Sequence, residues 1–116
     1  MEESTGINLG PLDDIPVGQG LCFVLNDEEI AIFRSRKGQV SAIGNRCPHK
    51  GGSLANGIIG EGKVVCPLHG HKFDLKTGQA YGAHECVRVF HAWIEDGNVL
   101  IEYTRLSINS TVKSLI

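Results

Sequence analysis

The stretch that organises this sequence opens with Cys47-Pro48-His49-Lys50-Gly51-Gly52 and closes with Cys66-Pro67-Leu68-His69-Gly70. Each end offers one soft thiolate and one borderline imidazole, and such ligands suit iron or zinc rather than magnesium or calcium. Sixteen residues separate His49 from Cys66. That is room for a short hairpin, and Ile58-Ile59, Gly60-Glu61-Gly62-Lys63 and Val64-Val65 read as its two strands and turn. The hairpin brings the two loops face to face. Their glycines let backbone N–H groups approach a buried anion such as a bridging sulfide. Each proline follows a cysteine, removing one donor and stiffening the loop.

Outward from this centre, short apolar runs alternate with turn residues. Leu21-Cys22-Phe23-Val24-Leu25 leads through Asn26-Asp27 to Ile30-Ala31-Ile32-Phe33, and Lys37-Gly38-Gln39 leads to Val40-Ser41-Ala42-Ile43. At the far end a run from Cys86 to Ile94 meets Asp96-Gly97-Asn98 and continues from Val99 to Tyr103. Asp-Gly supplies the positive φ that tight hairpins demand. No window sustains a helical period over three turns. The expectation is an all-β fold, a small antiparallel β sandwich or barrel with an inserted loop-rich subdomain. Residues 1–104 then form one domain, with base strands at about 7–44 and 84–104 and the insert at about 45–83. Residues 105–116 form a polar tail with scattered apolar side chains.

Composition excludes several classes. The chain has 116 residues with 41% hydrophobic and 21% charged side chains, which suits one folded domain and not a disordered chain. Its net charge of −2 argues against nucleic acid or an anionic membrane as the main partner. The run from Leu21 to Leu25 falls far short of the roughly 20 residues of a membrane helix. The acidic start, Met1-Glu2-Glu3-Ser4, is unlike a secretory signal, so a cytoplasmic protein is expected. In that compartment four cysteines read as thiolates or metal ligands rather than disulfides.

Two cysteines and two histidines admit two readings. A structural zinc site usually pairs C-x2–4-C with H-x3–5-H, whereas mixed Cys-His pairs suit a two-iron cluster with cysteines on one iron and histidines on the other. The spacing C-x-H-x16-C-x2-H resembles that of the Rieske [2Fe–2S] family. The likeness extends through Gly51-Gly52-Ser53-Leu54, Gly57-Ile58-Ile59, Lys72-Phe73-Asp74-Leu75 and Thr77-Gly78, and covers about residues 7–104.

The resemblance implies one [2Fe–2S] cluster per chain, with Cys47 and Cys66 on the inner iron and His49 and His69 on the outer. It implies one-electron transfer, with no catalytic residue of the chain's own. High-potential members carry a loop-linking disulfide at positions matching Gly52 and Leu68, and hydroxyl side chains at positions matching His71 and Phe73. Neither is present, so a low potential that stays flat near neutral pH is expected. The likeness leans toward the small subunit of NAD(P)H-dependent assimilatory nitrite reductase, on Ala31-Ile32-Phe33-Arg34 and Pro48-His49-Lys50-Gly51-Gly52. Rieske ferredoxins of ring-hydroxylating dioxygenases are nearly as close. Implied partners are a reductase, a sirohaem- or flavin-bearing large subunit, or an oxygenase. From other classes, a zinc-stabilised interaction module and a redox-sensing regulatory domain are the alternatives.

Several residues have plainer readings. Cys22 and Cys86 are expected to be buried strand cysteines, and Trp93 a core residue. His71 reads as a loop residue near the cluster rim, and His84 and His91 as histidines without metal. Lys50 and Lys72 flank the loops and make a mildly basic rim.

Overall fold

The computed structural model describes residues 4–48, 52–67, 70–82 and 84–104. Among the described residues, ten strands run in chain order: β1 (Ser4–Pro11), β2 (Gly20–Leu25), β3 (Glu28–Arg34), β4 (Val40–Gly44), β5 (Ile58–Gly60), β6 (Lys63–Val65), β7 (Lys72–Asp74), β8 (Val89–Phe90), β9 (Ala92–Glu95) and β10 (Asn98–Thr104). They form three antiparallel sheets in the orders β1-β10-β9, β2-β3-β4-β8 and β5-β6-β7. The all-β antiparallel expectation holds.

The turns sit where the sequence placed them. Asn26-Asp27, Glu61-Gly62 and Asp96-Gly97 each have two positive φ angles and close two-residue hairpins, between Leu25 and Glu28, Gly60 and Lys63, and Glu95 and Asn98. Paired left-handed residues match the right-handed twist of the strands they join.

β3 is the hinge of the architecture. Successive side chains of a strand point to opposite faces. Ile30 and Ile32 therefore enter a core shared with Ile15, Ala42, Phe90, Val99 and Ile101, where the two larger sheets meet. Ala31 and Phe33 enter a second core with Leu54, Val64, Phe73, Cys47 and Cys66, beneath the third sheet. An unbroken apolar run is what a strand covered on both faces requires. β3 thereby joins the base to the cysteine-bearing unit.

Two features differ from expectation. β1 begins at Ser4, earlier than the first base strand expected, and carries a bulge at Gly10, where φ is +106° and Asn8 Oδ1 accepts the Gly10 N–H at 2.8 Å. The run from Cys86 to Ile94 is not one strand. It breaks at His91, where the chain leaves β8 in one sheet and enters β9 in another, and Cys86 makes only an isolated bridge to Gln79. Among the described residues, no helix is long and apolar enough to cross a membrane.

Candidate metal centre

Cys47 and Cys66 are 2% and 1% exposed and lie in the same packed cluster of side chains. Each stands at the base of a loop closed by the same main-chain bond. The Cys47 N–H donates to the Gly52 carbonyl at 2.8 Å, and the Cys66 N–H donates to the His71 carbonyl at 2.7 Å. Outside these bonds each loop is flanked by an antiparallel pair, Arg46 with Ser53 and Val65 with Lys72. The second loop turns back through Gly70, whose φ is +73° and whose N–H donates to the Cys66 carbonyl at 3.0 Å. The expected ligands His49 and His69, with Lys50 and Leu68, lie outside the described residues.

The donor chemistry suits an iron–sulfur cluster. A lone thiolate among Leu54, Val64 and Phe73 would be costly, whereas a thiolate whose charge is shared with iron is at home there. Phe73 is wholly buried in this core and has no hydroxyl to donate. His71 closes the second loop through its carbonyl and is half-buried, consistent with a place at the rim.

Beside the second loop an open depression of about 470 Å³ is lined by Gly70, His71, Lys72, Tyr81 and Gly82. Tyr81 donates its hydroxyl to Asp74 Oδ2 at 3.2 Å, and the Lys63 ammonium sits 5.0 Å from its ring centroid. Asp74 Oδ1 also accepts the N–H groups of Lys76 at 2.7 Å and Thr77 at 3.0 Å. These bonds, the Thr77 N–H foremost, hold the Asp74 carboxyl below the usual aspartate range. The ionised carboxylate therefore stabilises the 74–78 turn above the ordinary carboxylate pKa, and that support is lost as pH falls through the lowered value. An NMR titration should give an Asp74 midpoint below the reference value of about 3.9; a midpoint above it would contradict the assignment. A groove of about 690 Å³ between β4 and β8–β9 does not include either buried cysteine.

The other cysteines correct the expectation. Cys22 and Cys86 are exposed, not buried. On β2 the alternation sends Leu21, Phe23 and Leu25 toward the sheet core, so Cys22 takes the opposite face of an edge strand. Partial desolvation of its thiol beneath neighbouring side chains, aided by the Glu29 charge, raises the Cys22 pKa. Replacing Cys22 or Cys86 with alanine should thus leave iron content unchanged and shift stability by no more than about 0.5 kcal/mol. Iron analysis and denaturant unfolding of the two variants check this.

Trp93 also lies outside the core. It is half-buried over Gly6, stacks on exposed His91 with ring centroids 5.2 Å apart, and donates to Glu95 Oε1 at 3.1 Å. His84 is exposed, as a loop histidine should be. One residue of consequence drew no attention in the sequence: Asn45, buried two positions before Cys47. Its only signal was a polar side chain at the end of an apolar run.

With fold and loops in view, comparison with known proteins defines the class. The model of the Rieske-like [2Fe-2S] domain family matches residues 7–102, and the chain belongs to that family. Among curated relatives, the biphenyl dioxygenase ferredoxin subunit of Pseudomonas sp. (strain KKS102) is 30% identical over 102 residues, covering 85% of this chain and 93% of the relative. Among solved structures, the Escherichia coli protein NirD is 31% identical with a TM-score of 0.79, covering 87% of this chain and 98% of that one. A Mycobacterium tuberculosis protein assigned as an NADH-dependent nitrite reductase small subunit gives a TM-score of 0.80 at 25% identity, covering 87% and 96%. Several other relatives are much longer, and the chain spans only 15% to 22% of them.

Proposed function

We propose that this chain is a one-electron carrier whose low-potential Rieske cluster is held by Cys47, His49, Cys66 and His69. The observation that carries the reading is the pair of matching loops, each with a buried cysteine at its base and a histidine two or three residues further along the sequence. When bound, such a cluster takes up and releases one electron at a potential between about −150 and +300 mV. Cys47 and Cys66 anchor it from the core, and the main-chain bonds to Gly52 and His71 hold the two loops to shape. Residues 45–83 serve as the cluster-binding insert on a base of residues 7–44 and 84–104, within a domain of residues 1–104 that leaves 105–116 as a tail.

The potential falls in the lower part of the range. A hydroxyl that hydrogen-bonds a cluster sulfur stabilises the reduced, more negative state and raises the potential. Phe73, buried against both cysteines' core, supplies none. A redox titration of the purified protein should give a midpoint below zero, suited to electrons from a flavin- or nicotinamide-linked reductase. A midpoint well above zero would overturn this reading.

The chain then serves as the small subunit of an NAD(P)H-dependent nitrite reductase, passing electrons while the partner transforms the substrate. The near-complete coverage of the nitrite reductase small subunit fold supports this. A second reading, a free ferredoxin serving an oxygenase, is favoured by the likeness over 93% of a dioxygenase ferredoxin. Reconstitution separates them. Stimulation of NADH-driven nitrite reduction by a large subunit supports the first, and stimulation of a ring-hydroxylating oxygenase supports the second.

A further inference from the structure

The two loops open on the same main-chain bond, but their supports differ. The second is carried by the β6–β7 ladder, with pairs at Lys63/Asp74, Val64/Phe73 and Val65/Lys72. The first is flanked by the single bridge between Arg46 and Ser53. The missing support comes from Asn45, which is 2% exposed and is the one buried polar side chain among the described residues.

Its Nδ2 donates to Glu29 Oε1 and to Ser53 Oγ, both at 3.0 Å. Its Oδ1 accepts the Ala55 N–H at 2.8 Å and the Ser53 hydroxyl at 3.2 Å. The main chain adds two more bonds, from Asn45 N–H to the Glu29 carbonyl at 2.9 Å and from Leu54 N–H to the Asn45 carbonyl at 2.7 Å. One amide thus ties the residues just before the loop to those just after it, and both to β3. Glu29 is itself held by Arg46 Nη2 at 3.0 Å. The bonds from Asn45 and Arg46 keep its carboxyl below the usual glutamate range, so it stays an acceptor.

We propose that Asn45 is a positioning residue of the metal centre: through Glu29 and Ser53 it fixes the first loop, and with it Cys47, in the orientation that holds metal. The inference rests on the ligand assignment above. It requires a side chain that donates and accepts at once, because Glu29 takes a hydrogen while Ala55 gives one. Aspartate has the same shape, donates nothing when ionised, and sets a second negative charge against Glu29. Glutamine in place of Glu29 removes that repulsion and supplies a donor, so the pair works with its roles exchanged.

The test uses the cluster-loaded full chain. Iron release to a chelator and the EPR spectrum of the reduced protein are measured for wild type, Asn45→Asp, and Asn45→Asp combined with Glu29→Gln. Val99→Ala serves as control, since it weakens the other core, remote from the loops. Asn45→Asp should release iron about tenfold faster than a control of equal global stability, equivalent to about 1.4 kcal/mol. Its EPR lines should broaden, and adding Glu29→Gln should recover most of both effects. Should Asn45→Asp fail to fold, Ser53→Ala, which removes one partner and leaves the amide, should still speed release about threefold. A wild-type cluster whose release and EPR lines are unchanged in the variants, or change only as in Val99→Ala, overturns the inference alone. A wild-type chain that binds no iron and sulfide overturns the ligand assignment and the inference with it.

Discussion

Replacing Cys47 or Cys66 with serine should abolish the cluster's visible absorption and its iron while leaving the base strands folded. Thiolate sulfur is the ligand that an iron–sulfur cluster selects, and a neutral serine hydroxyl is a poor substitute. The remaining cysteines, Cys22 and Cys86, are exposed and do not belong to the buried core that holds Cys47 and Cys66. The fold of the base should survive, because its core of Ile30, Ile32, Phe90, Val99 and Ile101 is built without either cysteine. Far-UV circular dichroism close to wild type, with absorption lost, is the expected pair of results. Histidine ligands should behave differently. His49→Cys or His69→Cys substitutes a more negative donor and should lower the potential of whatever cluster remains. A Cys47→Ser protein that keeps its iron and an unchanged spectrum would contradict the assignment.

The largest effect on stability should come from Gly78→Ala. Gly78 has φ +77°, and a Cβ there would collide with the Val87 carbonyl, which accepts no such approach without a shift of backbone. The same glycine donates its N–H to the Asp74 carbonyl and accepts from the Val87 N–H, both at 2.8 Å. It therefore joins the end of β7 to the segment that leads into β8. Left-handed strain costs about 1–3 kcal/mol and overpacking about as much again. Together these reach about 2–6 kcal/mol, against a total stability of about 5–15 kcal/mol for a domain. Gly60→Ala is the natural control. A Cβ on Gly60 would meet no atom within 4 Å, and its φ is not positive, so alanine there should be within about 0.5 kcal/mol of wild type. Denaturant midpoints of the two variants check the contrast, and equal midpoints would refute it.

How much of this was legible in the sequence depends on the range of the interaction. The hairpins were, because Asn26-Asp27, Glu61-Gly62 and Asp96-Gly97 carry their turn geometry locally. The unbroken run Ile30-Ala31-Ile32-Phe33 also declared a strand, although only packing shows that it serves two cores. β1 was not legible in full, since Gly6 and Gly10 weaken its strand pattern and its pairing partner, β10, lies at the far end of the chain. The break at His91 was hidden because neighbouring apolar residues look alike whichever sheet they join. Cys22 was misjudged as buried because its apolar neighbours suggested a core, when alternation along an edge strand sends it outward.

At the metal centre the two cysteine-bearing loops were plain from spacing alone. Their shared construction, each cysteine N–H bonded to the carbonyl five residues on, was not. Nor was Asn45, whose partner Glu29 lies 16 residues away across a strand pair. Metal-ligand types announce themselves in a sequence, whereas the groups that hold them in place depend on contacts made only in the fold.

The most direct test is iron, zinc and acid-labile sulfide analysis of anaerobically purified protein, with the reduced sample examined by EPR. Two irons and two sulfides per chain, with a Rieske-type signal on reduction, are the predicted result for a [2Fe–2S] centre. One zinc per chain with no sulfide and no signal would contradict it.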